Sequence, residues 1–143
     1  MPALRLLAAC SFAAAALAWV AGSASGSLAA FRTPSGNIGC IYAAGGGLRT
    51  TLRCDIRSRL RPRPTKPRKC DLDWGDSYTM NVLGRVVVSC HGDTAILPKS
   101  RFLRYGTRWR HGGFTCLSQR AGLRCLNAGG HGFFMSRARS YRF

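Results

Sequence analysis

Six of the seven cysteines, all except Cys10 near the N-terminus, constrain the fold of this chain more than any other feature of its sequence. An even number of cysteines in a small chain predicts three disulfides if the chain is exported, as the N-terminus described below indicates. Six cysteines allow about fifteen connectivities, and the sequence alone does not select one. A structural zinc site is the competing interpretation, but no C-x-x-C pair is present. The six residues are Cys40, Cys54, Cys70, Cys90, Cys116 and Cys125.

Two of the predicted disulfides follow from hairpin geometry. Residues 37–42 and 49–56 flank three glycines at positions 45–47, and a hairpin with this tip places Cys40 opposite Cys54. Residues 114–118 and 123–127 flank a turn at 119–122 in the same way, so Cys116 faces Cys125. Facing residues in an antiparallel pair lie within the distance that a disulfide spans.

The third disulfide is predicted from what remains. Residues 77–82 and 86–90 form a hairpin around a turn at 83–85, in which Cys90 falls opposite Tyr78 and needs a partner from elsewhere. Cys70 lies just upstream of this hairpin and is the nearest candidate. We therefore expect sequential pairing of the six cysteines.

The N-terminus has the composition of a signal peptide. Arg5 precedes an apolar run over residues 6–21, and small residues follow at 22–30. We predict a helical signal peptide at residues 1–29 and a single disulfide-stapled β domain at residues 30–143. An uncleaved anchor is the alternative, but the run is shorter than the ~20 residues of a bilayer span. Cys10 is not read as a lipidation site, because the apolar run continues beyond it.

The turn residues and short β-forming runs predict an all-β fold. We expect about seven or eight short antiparallel strands in a small barrel or sandwich of hairpins with three disulfides. One of these strands is predicted at residues 94–97, before a break at Pro98. The run Val86 to Val88 is predicted to be a buried strand.

The charge is strongly unbalanced. The chain has 22 lysines and arginines against five aspartates and no glutamate, so its net charge of +17 falls only to +16 when Arg5 is removed with the leader. Such a surface attracts a polyanion: nucleic acid, an envelope polymer or acidic lipid. A genome that favours arginine codons is the alternative explanation of this charge. Charge alone determines association and not chemistry, so it does not decide between the two explanations.

Two segments are candidates for polyanion binding. Residues 57–69 hold three prolines and are predicted to be an extended, solvated loop whose ends are fixed by Cys54 and Cys70. Residues 102–110 alternate aromatic and cationic side chains, with Tyr105 and Trp109 as the best stacking candidates, although a half-buried sheet edge has the same pattern. The predicted polyanion-binding residues are Arg57, Arg59, Arg61, Arg63, Lys66, Arg68, Lys69, Arg104, Arg108 and Arg110.

No metal site is predicted. Three aspartates in residues 71–76 have the D-x-D spacing of a calcium loop, but the position of the bidentate glutamate is occupied by Val82. Ion pairs with the arginine excess or turn caps are the expected roles of these aspartates. The three histidines each precede a glycine and fix no ligand geometry that the sequence can test.

Six motifs are distributed over the chain: F-R-T-P-S-G-N-I-G-C at 31–40, L-R-C-D-I at 52–56, D-W-G at 73–75, H-G-D-T at 91–94, G-F-T-C at 113–116 and G-L-R-C-L-N-A-G-G-H-G-F-F at 122–134. Together they resemble a family of small exported actinobacterial proteins that is known only as a domain of unknown function. The resemblance covers nearly the whole mature chain. It implies secretion and a common scaffold, and it transfers no catalytic residue.

The sequence favours a binding protein over an enzyme. It contains neither G-x-S-x-G nor H-E-x-x-H, and no cofactor is expected. The leading hypothesis is an exported cationic protein that engages polyanionic surfaces of the cell envelope or beyond. The alternative is a metal-independent nuclease-like hydrolase, for which His131 and Asn127 are weak catalytic candidates. A third hypothesis is a structural envelope component whose charge is compositional.

Overall fold

The computed structural model describes residues 25–143, which form two β-sheets. No helix among these residues is long and apolar enough to cross a membrane. The all-β prediction is confirmed, while the predicted signal peptide lies almost entirely outside the described residues. The strands are β1 (Ser27–Arg32), β2 (Ile38–Gly45), β3 (Leu48–Ile56), β4 (Ser77–Asn81), β5 (Val87–Val88), β6 (Arg101–Phe102), β7 (Arg108–His111), β8 (Phe114–Gln119), β9 (Gly122–Asn127), β10 (Gly132–Met135) and β11 (Ser140–Arg142).

The first sheet has the strand order β5-β4-β3-β2-β1-β6. Its centre is the predicted glycine hairpin, in which β2 and β3 are joined at Gly46 and Gly47 with φ angles of 61° and 80°. Positive φ at both central residues is the requirement of the tight turns that match strand twist, so glycine is needed here. All pairs are antiparallel except β1 with β6, which is parallel.

The second sheet has the order β11-β10-β9-β8-β7, so each strand pairs with its neighbour in sequence. The predicted C-terminal hairpin is confirmed, with Cys116 directly opposite Cys125. On these strands the alternate residues Phe114, Cys116, Leu123 and Cys125 are buried. This alternation gives the sheet one inner face and one outer face.

The two sheets pack face to face as a sandwich around one hydrophobic core. Aromatic contacts join them at three points along their width. The ring pairs are Phe31 with Trp109 (5.0 Å between centroids), Tyr42 with Phe114 (6.1 Å) and Tyr78 with Phe133 (5.3 Å). The contacts place β1 over β7, β2 over β8 and β4 over β10. Consequently the short strands β5 and β6 lie at opposite open sides of the sandwich.

The sequential disulfide pairing is confirmed. Cys40–Cys54 and Cys116–Cys125 each join two facing strands with a Cα–Cα distance of 4.1 Å. Cys70–Cys90 joins the end of the basic loop to the segment that follows β5. Three disulfides of this kind are typical of proteins that fold in an oxidising compartment.

The hairpin of β4 and β5 differs from the prediction in register and burial. Tyr78 faces Val88 and not Cys90, so the register of the second strand differs from the prediction by two residues. Asn81 closes the connection between the two strands by accepting a hydrogen bond at 2.6 Å from the backbone N–H of Gly84. Val86 is buried, but Val87 is exposed, so the valine run is not a fully buried strand.

Residues 94–97 are not a strand, contrary to the prediction. Ala95 and Ile96 are nevertheless buried, because this segment lies directly against Gly39 of β2. The backbone N–H of Ala95 donates to the carboxylate of Asp55 at 2.7 Å, which replaces a ladder partner. The described residues form eleven strands where about seven or eight were expected, and two of the eleven, β5 and β6, have only two residues each.

The basic loop at residues 57–69 is more firmly packed than a solvated spacer. Leu60 is buried in the core, and its backbone N–H donates to Gly75 at 2.8 Å. The carbonyl of Arg61 accepts a hydrogen bond at 2.6 Å from the N–H of Ser140, and Trp74 donates its indole N–H to Pro64 at 3.2 Å. These bonds hold the loop against β11 while its cationic side chains stay exposed.

Candidate polyanion-binding surface

The acidic residues are concentrated in one place. Four of the five aspartates, Asp55, Asp73, Asp76 and Asp93, line a single pocket. Arg53 binds two of them, with Nη2 at 2.9 Å from Asp55 and Nη1 at 2.6 Å from Asp93. The hydrogen bond and positive charge of Arg53 lower the pKa of Asp93. Asp55 and Asp93 therefore pair with Arg53 and not with the arginines of the rest of the surface.

Histidine, and not the arginine excess, pairs with the aspartate segment at residues 71–76. His91 is buried, and its Nε2 lies 2.9 Å from Asp76 while its Nδ1 lies 2.7 Å from the carbonyl of Asp93. Asp73 pairs with His91 through the backbone. The sulfurs of Cys40, Cys54 and Cys125 lie within 4.8 Å of one another, but each is in a disulfide and offers no thiolate to a metal.

A cleft opens between the edge strands β5 and β11, and we name it the Tyr78 cleft. It has a volume of about 600 Å³. Its cationic lining comes from three separate parts of the chain, and aromatic rings form much of the rest. The arginines are Arg63, Arg85 and Arg142, His131 also lines the cleft, and the aromatic residues are Tyr78, Tyr141 and Phe143. No acidic side chain is among the described residues that line it.

Backbone contacts fix the walls of the Tyr78 cleft. Arg142 donates from Nη1 to the carbonyl of Val86 at 3.1 Å, which joins β11 to the first sheet. Tyr78 is buried at the base of the cleft, and burial raises the pKa of its phenol, while the charge of Arg142 acts in the opposite direction. Tyr78 is therefore a neutral phenol beside a fixed cation at neutral pH.

A second depression continues the Tyr78 cleft along the basic loop. It is lined by residues 58–63 together with Ala138 and Arg139, and it shares Pro62 and Arg63 with the cleft. We call the combined surface the cationic track. No acidic residue in the described part of the chain lines it. Its arginines are Arg59, Arg61, Arg63, Arg85, Arg139 and Arg142.

The other predicted segment lines a groove at the opposite side of the sandwich, which we name the Trp109 groove. It lies between β6 and β7 and has a volume of about 880 Å³. Arg101, Arg104 and Arg108 supply its charge. Trp109 is half-buried, since its ring packs 5.0 Å from Phe31 and 6.3 Å from Tyr42.

The remaining predicted binding residues are dispersed. Tyr105 does not line the Trp109 groove, and the guanidinium of Arg120 lies 5.2 Å from its ring. Arg57 donates to the carbonyl of Gly36, and Lys66 donates to that of Leu72. Arg68, Lys69 and Arg110 are exposed on the surface. The prediction missed Arg85, Arg139 and Arg142, whose meeting point is set by the sandwich and has no local motif.

The two catalytic candidates have different roles in the structure. Asn127 is buried and its amide is fully used: Nδ2 donates to Asn81 and Gly84, and Oδ1 accepts from the backbone N–H of His131. It is therefore an anchor of the turn before β10. His131 contributes its backbone N–H to this turn, and it also lines the Tyr78 cleft.

A family model matches residues 11–143, and its description is a family of unknown function, DUF6636. The chain belongs to this family. No curated protein and no solved structure matches the chain. Membership in DUF6636 therefore brings no activity with it.

Proposed function

We propose that this DUF6636 protein is an exported, non-catalytic binding protein that engages a polyanion through the cationic track. The observation that carries the proposal is the separation of charge: six arginines line the track without a carboxylate, whereas four of the five aspartates share one pocket elsewhere. A purely compositional arginine excess gives no reason for this separation. The three disulfides agree with a destination in an oxidising compartment.

The track has the physical properties that binding of a polymer requires. Its arginines are exposed and present planar donors that match phosphate, sulfate or carboxylate groups. Its basic loop is already held against β11 by the bonds of Arg61 with Ser140, so little ordering cost is added when a ligand binds. Binding of this kind releases counterions and weakens steeply with salt.

The test compares charge neutralisation on the two sides of the sandwich. Long-chain inorganic polyphosphate is titrated into the secreted protein over a series of salt concentrations. The triple variant Arg63→Gln, Arg85→Gln, Arg142→Gln is expected to bind roughly a hundredfold more weakly and to lose about 0.7 units of salt slope for each contact removed. Arg101→Gln, Arg104→Gln, Arg108→Gln is the matched control, with the same change in net charge.

Equal and small losses in both triple variants would contradict the proposal and favour a compositional charge. A larger loss in the control would move the binding site to the Trp109 groove. Thermal melts of both variants check that the sandwich remains folded, because the Arg142 side chain also bonds Val86.

The nuclease-like alternative rests on one observation, which is that His131 lines the same cleft as Arg63, Arg85 and Arg142. A hydrolase needs a general acid and a general base, and Asn127 is committed to the turn. RNA turnover by the purified protein that is lost in His131→Ala would support this alternative. Salt-sensitive binding without turnover supports the proposal.

A further inference from the structure

The outer face of the second sheet carries an aromatic and cationic surface that adjoins the Tyr78 cleft. The strand pairing aligns one residue from each of its five strands in a single cross-strand row. The row is Tyr141, Phe134, Arg124, Leu117 and Arg108. It lies on the face opposite the core, because the alternate residues Phe133, Cys125 and Cys116 are buried.

Tyr141 is a supported ring on this face. Its ring stacks on Phe134 at 5.4 Å with an interplanar angle of 24°. Phe134 is only 7% exposed, whereas Tyr141 is 42% exposed, so Tyr141 covers Phe134 and remains accessible itself. The guanidinium of Arg139 lies 5.8 Å from the ring of Tyr141. A planar ligand can contact a ring that is already held in place.

Phe143 provides a second ring beside the first. It pairs through its backbone with Gly132, and its ring lies over this glycine, where a Cβ atom would come within 2.6 Å of Phe143 Cζ. The ring is 6.2 Å from that of Tyr141, and Arg124 lies 4.1 Å above it. Gly132 thus leaves the space that the Phe143 ring occupies beside β10, where Phe143 remains 39% exposed.

The part of the chain that forms the second sheet has no acidic side chain. After Asp93 the sequence has ten lysines and arginines and no aspartate or glutamate. Tyr141 and Phe143 also line the Tyr78 cleft, so the rings adjoin the cationic track. A polyanion that follows the track therefore passes two exposed aromatic rings.

We infer that the ligand of the cationic track is a single-stranded nucleic acid whose bases stack on Tyr141 and Phe143. This inference rests on the proposed function. Polyphosphate, acidic polysaccharide and lipid headgroups satisfy arginines but have no planar bases for the rings, whereas every base has a π-face. A duplex is disfavoured because its bases are stacked on each other and present only edges.

The experiment separates the bases from the charge. Fluorescence anisotropy compares a single-stranded oligonucleotide of about 20 nucleotides with an abasic strand that has the same number of phosphates. The base-containing strand is expected to bind roughly tenfold or more tightly. Tyr141→Ala and Phe143→Ala are each expected to weaken its binding by roughly tenfold, with a much smaller effect on the abasic strand.

Phe102→Ala is the matched control. Phe102 is also an exposed ring, at 53%, with Arg32 lying 4.2 Å above it, but it belongs to β6 at the other side of the sandwich. Its removal is expected to leave oligonucleotide affinity unchanged. The conservative variant Tyr141→Trp keeps a stacking ring and is expected to retain binding.

Several outcomes would overturn the inference. Equal affinity for the base-containing and abasic strands, with no effect of the ring variants, would leave polyanion binding intact but exclude base stacking. Stronger binding to vesicles of acidic phospholipid than to the oligonucleotide would point to a membrane surface. Failure of both strands and of polyphosphate to bind would remove the proposed function itself.

Discussion

The two open sides of the sandwich have similar charge but use their aromatic residues differently. The Tyr78 cleft and the Trp109 groove each have three arginines and no lining carboxylate in the described part of the chain. In the groove, Trp109 is packed against Phe31 in the core. At the cleft, Tyr141 and Phe143 lie on top of the sheet. Trp109 thus serves packing between the sheets, whereas Tyr141 and Phe143 are accessible rings. Phe102 also lines the groove, but it lies exposed on β6.

The difference follows from the position of each ring relative to the core. Trp109 shares the inward orientation of Cys116, its partner across β7 and β8, so its ring fills space between the sheets. Tyr141 faces Phe134 on the outer surface, where no second layer covers it. An alternation of aromatic and cationic residues in sequence is therefore insufficient to identify a binding surface, because the face of the sheet decides which rings are free.

The largest expected effect is on the free energy of unfolding, which distinguishes a ring that packs between the sheets from a ring on the outer face. Trp109→Ala removes the ring contacts with Phe31 and Tyr42 and is expected to lower the free energy of unfolding by about 3 kcal/mol. Tyr141→Ala removes an outer ring and is expected to lower it by about 1 kcal/mol. Urea unfolding with the disulfides intact measures both. Equal losses would show that the two rings have the same structural role.

A smaller effect is expected from adding one methyl group on each side. Gly132→Ala places Cβ against the carbonyl of Cys125 and the Phe143 ring, so β10 has to shift, at a cost of about 2 kcal/mol. Gly106→Ala, near the Trp109 groove, meets open space but has a φ of 82°, and costs about 1 kcal/mol. Thermal unfolding compares them. Only Gly132→Ala is expected to displace the Phe143 ring and so to weaken oligonucleotide binding. An unchanged oligonucleotide affinity of Gly132→Ala would contradict the role of Phe143 in binding.

The smallest expected effect is at alkaline pH. Burial raises the pKa of Tyr78 in the folded protein. Near and above the phenol's usual pKa of about 10, the unfolded chain loses its proton first, so the folded state becomes less stable as the pH rises. Tyr78→Phe is expected to flatten this decline between about pH 9 and 11 without changing its slope below that range. Tyr105→Phe, which lies outside the cleft, is the control. An equal change in the pH dependence of stability in both variants would refute the assignment of the alkaline decline to Tyr78.

The disulfide framework could be predicted because it depends on local geometry. Glycine turns between short β-forming runs set the register of both cysteine hairpins, and one residue of slip would move a cysteine to the other face. The prediction that Cys90 pairs with Cys70 was also correct, although the predicted register of its hairpin was wrong. Cys70 was chosen because it lies at the end of the adjacent loop, and this choice does not depend on which residue faces Tyr78. Local signals were sufficient where the contact itself is local.

Long-range contacts account for what the sequence could not predict. The hairpin of β4 and β5 was misread because Asn127 binds the carbonyls of Asn81 and Gly84 from the second sheet. The apolar run at residues 94–97 packs over Gly39, which no periodicity reveals. Leu60 is a single apolar residue in an arginine- and proline-rich loop, so the composition of the loop gave no indication that Leu60 is buried.

The candidate site was only half predictable for the same reason. The arginines of the basic loop were identified from their density, and His131 from its glycine neighbours. Their meeting with Arg85 and Arg142 depends on the edges of two sheets coming together at β5 and β11. The aromatic stretch at residues 102–110 was visible in the sequence. The accessible rings of Tyr141 and Phe143 lie on either side of Arg142 and do not form a comparable stretch, so they were not predicted.

The positions of the three disulfides have a consequence for proteolysis. Two join residues 40–54 and 70–90, and the third joins 116 to 125, so among residues 25–143 none crosses the connection at residues 97–100. A single tryptic cut after the exposed Lys99 would yield two polypeptides without a covalent link. They would separate on a denaturing gel without reductant, yet stay together in native buffer through the aromatic contacts between the sheets.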